Sequence, residues 1–141
     1  MGFSLSASFA VIGVSILISV EILIGGLVPT IDDIDKSYDE KINRGINKIQ
    51  TDINISNVIT TVNLSNYDYN ITLENSGSIT LETNEFIVLI NGKSYDFSCE
   101  DSYIFPESEA NFVLYNISGS GSIRLKILTE NGISDYYELV I

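Results

Sequence analysis

The chain has 141 residues and a formal net charge of −12, from 19 Asp and Glu against 7 Lys and Arg, with no His, no Trp and one Cys. Without His, the Ser-His and Cys-His nucleophile pairs and His-based metal sites are unavailable, and a single Cys excludes zinc ribbons and iron–sulfur clusters. The acidity argues against nucleic acid, whose phosphates need a basic surface, and disfavours a clamp on anionic lipid.

The first element is an apolar run from Leu5 to Val28, interrupted by one ionisable residue, Glu21. At about 1.5 Å per residue, a helix of this length crosses a hydrocarbon core of roughly 30 Å. A secretory signal peptide would need a basic start and a shorter apolar stretch. Residues Met1 to Ser4 carry no Lys or Arg, so residues 1–29 are expected to be an uncleaved, single-pass transmembrane anchor. Glu21 lies about two turns from the outer end of the run, which suits either solvation at the interface or pairing with a partner helix.

Residues 30–52 carry a helical rhythm. Ile31, Ile34, Tyr38, Ile42, Ile46, Ile49 and Ile53 recur at steps of three or four, which places them on one stripe. The steps make an imperfect heptad, weakened further by Gly45. The segment reads as an amphipathic stalk continuing the anchor, its stripe covered by another copy or by the chain's own domain. Asp32, Asp33, Asp35, Asp39 and Glu40 outnumber Lys36 between Thr30 and Glu40, and cytoplasmic flanks normally collect Lys and Arg. This side is therefore expected outside, with the short N-terminus inside. The Asp32-Asp33-Asp35 cluster lacks the Gly and distal Glu of an EF-hand loop and reads as a charged collar.

From about Asn54 the period changes to two, and residues 53–141 are expected to form one β-sandwich domain. Tyr67 to Glu74 alternates as a half-buried strand should. Asn75-Ser76-Gly77 turns the chain, Ser78 to Glu82 offers a short strand, and Phe86 to Ile90 is an apolar run of sandwich-core type. Asn91-Gly92 is a strong hairpin signal, since both residues accept the positive φ of a type I′ turn, and Lys93 to Phe97 is the return strand. Ile104 to Ser108 reads as a loop, Ala110 to Tyr115 as a strand, and Ser118-Gly119-Ser120-Gly121 as a turn. Ile123 to Ile127, then Asn131-Gly132, then Ser134 to Ile141 complete the pattern. Seven or eight short strands with regular turn signals indicate a mainly β fold: an immunoglobulin-like β-sandwich behind a helical anchor and stalk.

Candidate chemistry is sparse. Glu107 with Glu109, or Glu100 with Asp101, could in principle divide acid and base roles, but acidic loop residues of an acidic sandwich read first as solvated surface. Gly119 and Gly121 lack the helix and Lys of a phosphate loop. Cys99 has no partner for an intramolecular disulfide and reads as a small, buried hydrophobe near a strand end. No catalytic, cofactor or metal residues are expected. The sequons at Asn54, Asn63, Asn70 and Asn116 mark candidate N-glycosylation sites. What remains is binding, by strand addition or face packing.

The opening Met1-Gly2-Phe3-Ser4 running into an apolar helix, the stalk, Asn75 to Leu81, Phe86 to Gly92 and Thr129-Glu130-Asn131-Gly132 together resemble the FlaF (ArlF) family of the archaellum, the archaeal flagellum. The resemblance spans the whole chain. Its Asn-Ser-Gly-Ser and Asn-Gly segments also occur in the sister FlaG family and in other archaeal extracellular sandwiches. It implies a non-enzymatic protein of the cytoplasmic membrane whose sandwich stands in the pseudo-periplasm and binds the S-layer protein. With a FlaG-like partner it would form a static element of the motor and support archaellum assembly and swimming motility. It also implies a homodimer or larger assembly through the sandwich. A FlaG-type protein is the nearer alternative. A filament subunit of archaellin or type IV pilin type is the other; those carry a basic leader and a Glu near the start of the mature helix, whereas Glu21 lies further along.

Overall fold

A computed structural model describes residues 2–141, with side chains from Ser4 onward; Met1 and the side chains of Gly2 and Phe3 in the opening tetrapeptide lie outside the described residues. The chain divides into two compact units, Met1–Asn43 and Arg44–Ile141.

The first unit is helical. α1 (Gly2–Ile22) passes through a π-helical turn at Leu23–Leu27 into α2 (Val28–Gln50). The wider turn falls on Gly25-Gly26, where the absence of side chains lowers the cost of departing from α geometry. Ser4 to Gln50 forms a 47-residue helix whose apolar part is long enough to cross a membrane. Four hydroxyls of the apolar part and its edge are satisfied within the helix: Ser8, Ser15, Ser19 and Thr30 donate to the carbonyls of Ser4, Val11, Ser15 and Gly26 at 2.8–2.9 Å. In hydrocarbon, with no water to serve them, this is the arrangement that avoids an unpaired polar group.

The second unit is a sandwich. One sheet has the order β1-β2-β8-β6 and the other β10-β9-β4-β5, with a two-stranded ribbon of β3 and β7. The strands are β1 (Ile53–Asn63), β2 (Asn66–Asn75), β3 (Leu81–Glu82), β4 (Ile87–Ile90), β5 (Lys93–Tyr95), β6 (Ser98–Cys99), β7 (Tyr103–Ile104), β8 (Glu109–Ile117), β9 (Ser122–Leu128) and β10 (Ser134–Val140). All pairings are antiparallel. The division of strands is the immunoglobulin type, four on one sheet facing the hairpin-linked set on the other.

Alternation builds the core. Tyr69, Ile71 and Leu73 of β2, Phe112 and Leu114 of β8, Val88 of β4, and Leu125 and Ile127 of β9 are fully buried between the sheets. Phe86 and Phe97 flank Phe112 with ring centroids at 5.4 and 5.0 Å, tilted as aromatic quadrupoles prefer. In β1 the register shifts between Ile55 and Asn57. This bulge moves the inward row from Ile53 and Ile55 to Val58, and without it Asn57 would face the core and Val58 the outside. The hairpin at Asn91-Gly92 has φ of 49° and 82°, as a type I′ turn requires.

Several elements differ from the sequence reading. Ten strands form: Ser98–Cys99 and Tyr103–Ile104 are short strands where the sequence reading assigns none, Ile104 reading as the start of a loop, and the expected strand over 78–82 contracts to Leu81–Glu82. Strands of two residues carry no periodicity to detect. Cys99 is half-buried, opposite Phe112 on β8.

Candidate interaction surfaces and the helix-to-sandwich joint

The residues that join the end of α2 to the sandwich form a dense hydrogen-bonded site within the second unit. Thr51 donates through its N–H to the Asn47 carbonyl at 2.9 Å and through Oγ1 to the same oxygen at 2.7 Å. It is buried, and its Oγ1 accepts from Nδ2 of Asn131 at 2.8 Å. Ser78 N–H donates to the Gln50 carbonyl at 2.9 Å and Gly77 N–H to the Asp52 carbonyl at 3.0 Å. Ser76 Oγ donates to the Asp52 carboxylate at 2.9 Å. Orphan carbonyls at a helix C-terminus need such donors, and here a turn of the sandwich supplies them.

Asn75 organises that turn. It continues the inward row Tyr69, Ile71, Leu73 and is fully buried. Its Nδ2 donates to the carbonyls of Ile79 at 2.8 Å and Ile104 at 3.0 Å, and its Oδ1 accepts from Gly77 N–H at 3.1 Å. Its main chain exchanges hydrogen bonds with Ser108 and Glu107 at 3.0 and 2.9 Å. A buried side-chain amide is tolerated because its donors and acceptor are all used. Sequence reading took Asn75 for a turn residue; its parity with Leu73 was the available signal. The Thr129 to Gly132 segment closes the other side, Thr129 bonding Ile133 through both main chain and hydroxyl. Two of the segments quoted for the family resemblance, those beginning at Asn75 and at Thr129, therefore serve the joint.

The two sheets present different outer surfaces. All four sequon asparagines lie on β1, β2 and β8 of one sheet and are exposed. Asn54 sits at the start of β1 and Asn70 in the middle of β2, and Asn63 at the end of β1 donates to Asp68 at 3.1 Å. Asn116 occupies a register irregularity of β8 with φ of 59°, its N–H on the Asp68 carboxylate at 2.7 Å and its Oδ1 accepting from Asn66 at 2.7 Å. The other sheet carries Lys93, Arg124 and Lys126, which are the cationic residues of 53–141. Arg124 and Lys126 both lie about 5 Å from the Tyr136 ring, within cation–π range, and Arg124 pairs with Glu138 at 3.2 Å. The neighbouring Lys126 ammonium pulls the Tyr136 phenol below its usual range.

The remaining candidates stay apart. Glu107 holds a positive φ of 59° in the loop after Pro106, and Glu109 begins β8, 3.4 Å from Ser56 Oγ. Glu100 and Asp101 are exposed in the loop after β6, the Asp101 carbonyl accepting from Thr83 Oγ1 at 2.6 Å. Asp101 lines an open hollow with Glu82, Asp96 and Cys99, and burial pushes the Cys99 thiol up, the direction opposite to a reactive thiolate. Among the described residues no group of three or more His, Cys, Asp or Glu side chains is placed to hold a metal ion. Asp32, Asp33 and Asp35 lie exposed on α2, and Glu21 lies exposed one residue before the end of α1.

No family model matches the chain. Over 147 aligned residues it is 27% identical to the "Putative flagella-related protein F" of Methanocaldococcus jannaschii, covering 99% of both chains. Its fold matches the archaellum periplasmic stator protein FlaG from Sulfolobus acidocaldarius with a TM-score of 0.54 and 20% identity, over 63% of this chain and 99% of that one. The likeness is to the archaellum stator proteins. The complex of FlaF and FlaG from the same organism matches with a TM-score of 0.50 and 19% identity, over 62% of this chain and 87% of that one. The two structural likenesses to archaellum stator chains carry the sandwich, while the flagella-related relative also aligns through the apolar helix.

Proposed function

We propose that this chain is an F-type component of the archaellum stator: a single-pass protein of the cytoplasmic membrane whose sandwich stands outside and binds, without catalysis, both a FlaG-like partner and the S-layer. The observation that carries the reading is the alignment to flagella-related protein F along 99% of both chains, because it includes the anchor as well as the sandwich. The solved complex pairs FlaF with FlaG, which supports a FlaG-like partner here.

The mechanics favour the same role. A rotating filament exerts torque on its housing, and a housing embedded only in fluid lipid would turn with it. A static element has to connect the membrane assembly to something fixed, and the S-layer lattice is the fixed object. An apolar helix, an amphipathic stalk and a binding head are the parts needed. N-glycans at Asn54, Asn63, Asn70 and Asn116 belong to the same reading, since they require the sandwich to face outward.

The test is binding of the full-length chain, in detergent or reconstituted vesicles, to isolated S-layer protein with salt and pH varied. With so acidic a head, affinity is expected to change with both. Absence of binding, or a sandwich degraded by protease in inverted vesicles but protected in intact cells, overturns the proposal.

A further inference from the structure

Ile31, Ile34, Tyr38, Ile42, Ile46 and Ile49 stand on α2 with between 44% and 86% of their surface exposed, and no residue of α2 is buried. An apolar stripe of this length is not left to water without cost. Its repeat says what shape of partner it fits. A seven-residue repeat begun by Ile31, Ile34 and Tyr38 would continue through Lys41, Gly45 and Lys48, which is not an apolar seam. An 11-residue repeat carries Ile31 onto Ile42 and Tyr38 onto Ile49; it also carries Ile34 onto Gly45 and Asp35 onto Ile46, so the second edge of the stripe is acidic at Asp35 and apolar only from Ile46. Eleven residues in three turns is about 3.67 per turn, against about 3.6 for a straight helix, and a helix following such a stripe winds gently to the right.

We infer that α2 pairs in parallel with α2 of a second copy of this chain, as a right-handed coiled coil with Ile31, Ile34, Tyr38, Ile42, Ile46 and Ile49 in its seam. Charge identifies the occupant. On the 11-residue repeat, Asp39 stands about 65° to one side of Ile31 and Ile42, and Lys41 about 98° to the other. In a parallel two-fold pair, one flank of each helix lies beside the opposite flank of its partner. Asp39 of each copy then meets Lys41 of the other, and the complementarity is made twice. Thr30, Asp33, Ile34, Ser37, Tyr38 and Lys41 frame a mainly apolar furrow on the Lys41 side of α2, with one carboxylate at its rim, where a neighbouring side chain can seat. Parallel orientation rests on the reading of α1 as a membrane anchor, because two copies entering one bilayer from the same side carry their stalks in the same direction.

The test is disulfide scanning of the full-length chain in membranes, with Cys99→Ser as background. Single substitutions Ile31→Cys, Tyr38→Cys, Ile42→Cys and Ile49→Cys are expected to cross-link into dimers severalfold more than Lys41→Cys and Lys48→Cys. Asp39→Lys in the Ile42→Cys chain should reduce the cross-link, and adding Lys41→Asp should restore it. A flat profile, no dimer at any position, or a profile peaking at positions 41 and 48 overturns the inference. So does cross-linking solely to a different protein. Fractionation of the same samples reads the anchor separately: cross-linked chains absent from the membrane fraction would overturn the anchor and the parallel argument while leaving the seam pattern to be judged on its own.

Discussion

Gly77 lies so close to Gln50 that a β-carbon at position 77 would stand 2.5 Å from the Gln50 carbonyl oxygen and 2.6 Å from the Asp52 nitrogen. Both obstacles are main chain, and the end of α2 has to move to admit even a methyl group. Gly77→Ala is therefore expected to destabilise the sandwich by about 2–3 kcal/mol, read by urea unfolding of the full-length chain. A change below a few tenths of that would mean the joint is slack.

Asn75 is the second support of the joint. Asn75→Ala removes two donors and an acceptor and leaves the carbonyls of Ile79 and Ile104 without that partner, at an expected cost of about 3 kcal/mol. Asn75→Leu should be no better, because the volume is restored but the hydrogen bonds are not. Equal stability of Asn75→Leu and the parent would contradict this account.

Tyr69 is buried and its hydroxyl has no hydrogen-bond partner among the described residues. Burial pushes its phenol above 10.0, and burial pushes the Cys99 thiol above 9.0. In both cases the folded chain holds the proton more tightly than the unfolded chain. Their contribution to stability is complete below the unfolded values and is lost as pH rises through the folded ones. Urea melts between pH 8 and 11 should show stability falling at the alkaline end. Tyr69→Phe should raise stability near neutral pH by about 1 kcal/mol and remove its share of that fall; an unchanged alkaline slope would sink the assignment.

Tyr136 behaves in the opposite sense, its phenol lowered by the adjacent Lys126 ammonium, which favours the phenolate, and further by Arg124. Ultraviolet titration of Lys126→Met should show one tyrosine moving to higher pH than in the parent. A superimposable titration would exclude the contact in solution.

Removal of the sequons separates a carbohydrate from a backbone role. Asn54→Gln and Asn70→Gln, at exposed strand positions, should lower the mass of the native protein by one glycan each with stability nearly unchanged. Asn116→Gln should also cost about 1–2 kcal/mol, because Asn accepts the left-handed conformation at φ 59° better than Gln. Native masses equal to that of the bare polypeptide would exclude glycosylation.

Local order was legible because it is written in neighbouring residues. The alternation Tyr69, Ile71, Leu73 defined β2, Asn91-Gly92 defined the β4–β5 hairpin, and the apolar run from Leu5 defined α1. The joint was not legible, although its segments were noticed, because Asn75, Gly77, Thr51 and Asn131 meet across up to 80 residues of chain and sequence period records only what lies a few residues away. The two-residue strands β3, β6 and β7 likewise exist through partners distant in sequence. Composition alone ruled out His-dependent chemistry, and hydropathy and periodicity alone supplied the apolar helix, the stripe and most strands. Which sheet each strand joins, which asparagine is buried as a hub, and how the end of α2 is gripped were decided by tertiary structure, where hydrogen bonds and packing between remote segments select among pairings that local propensity leaves equal.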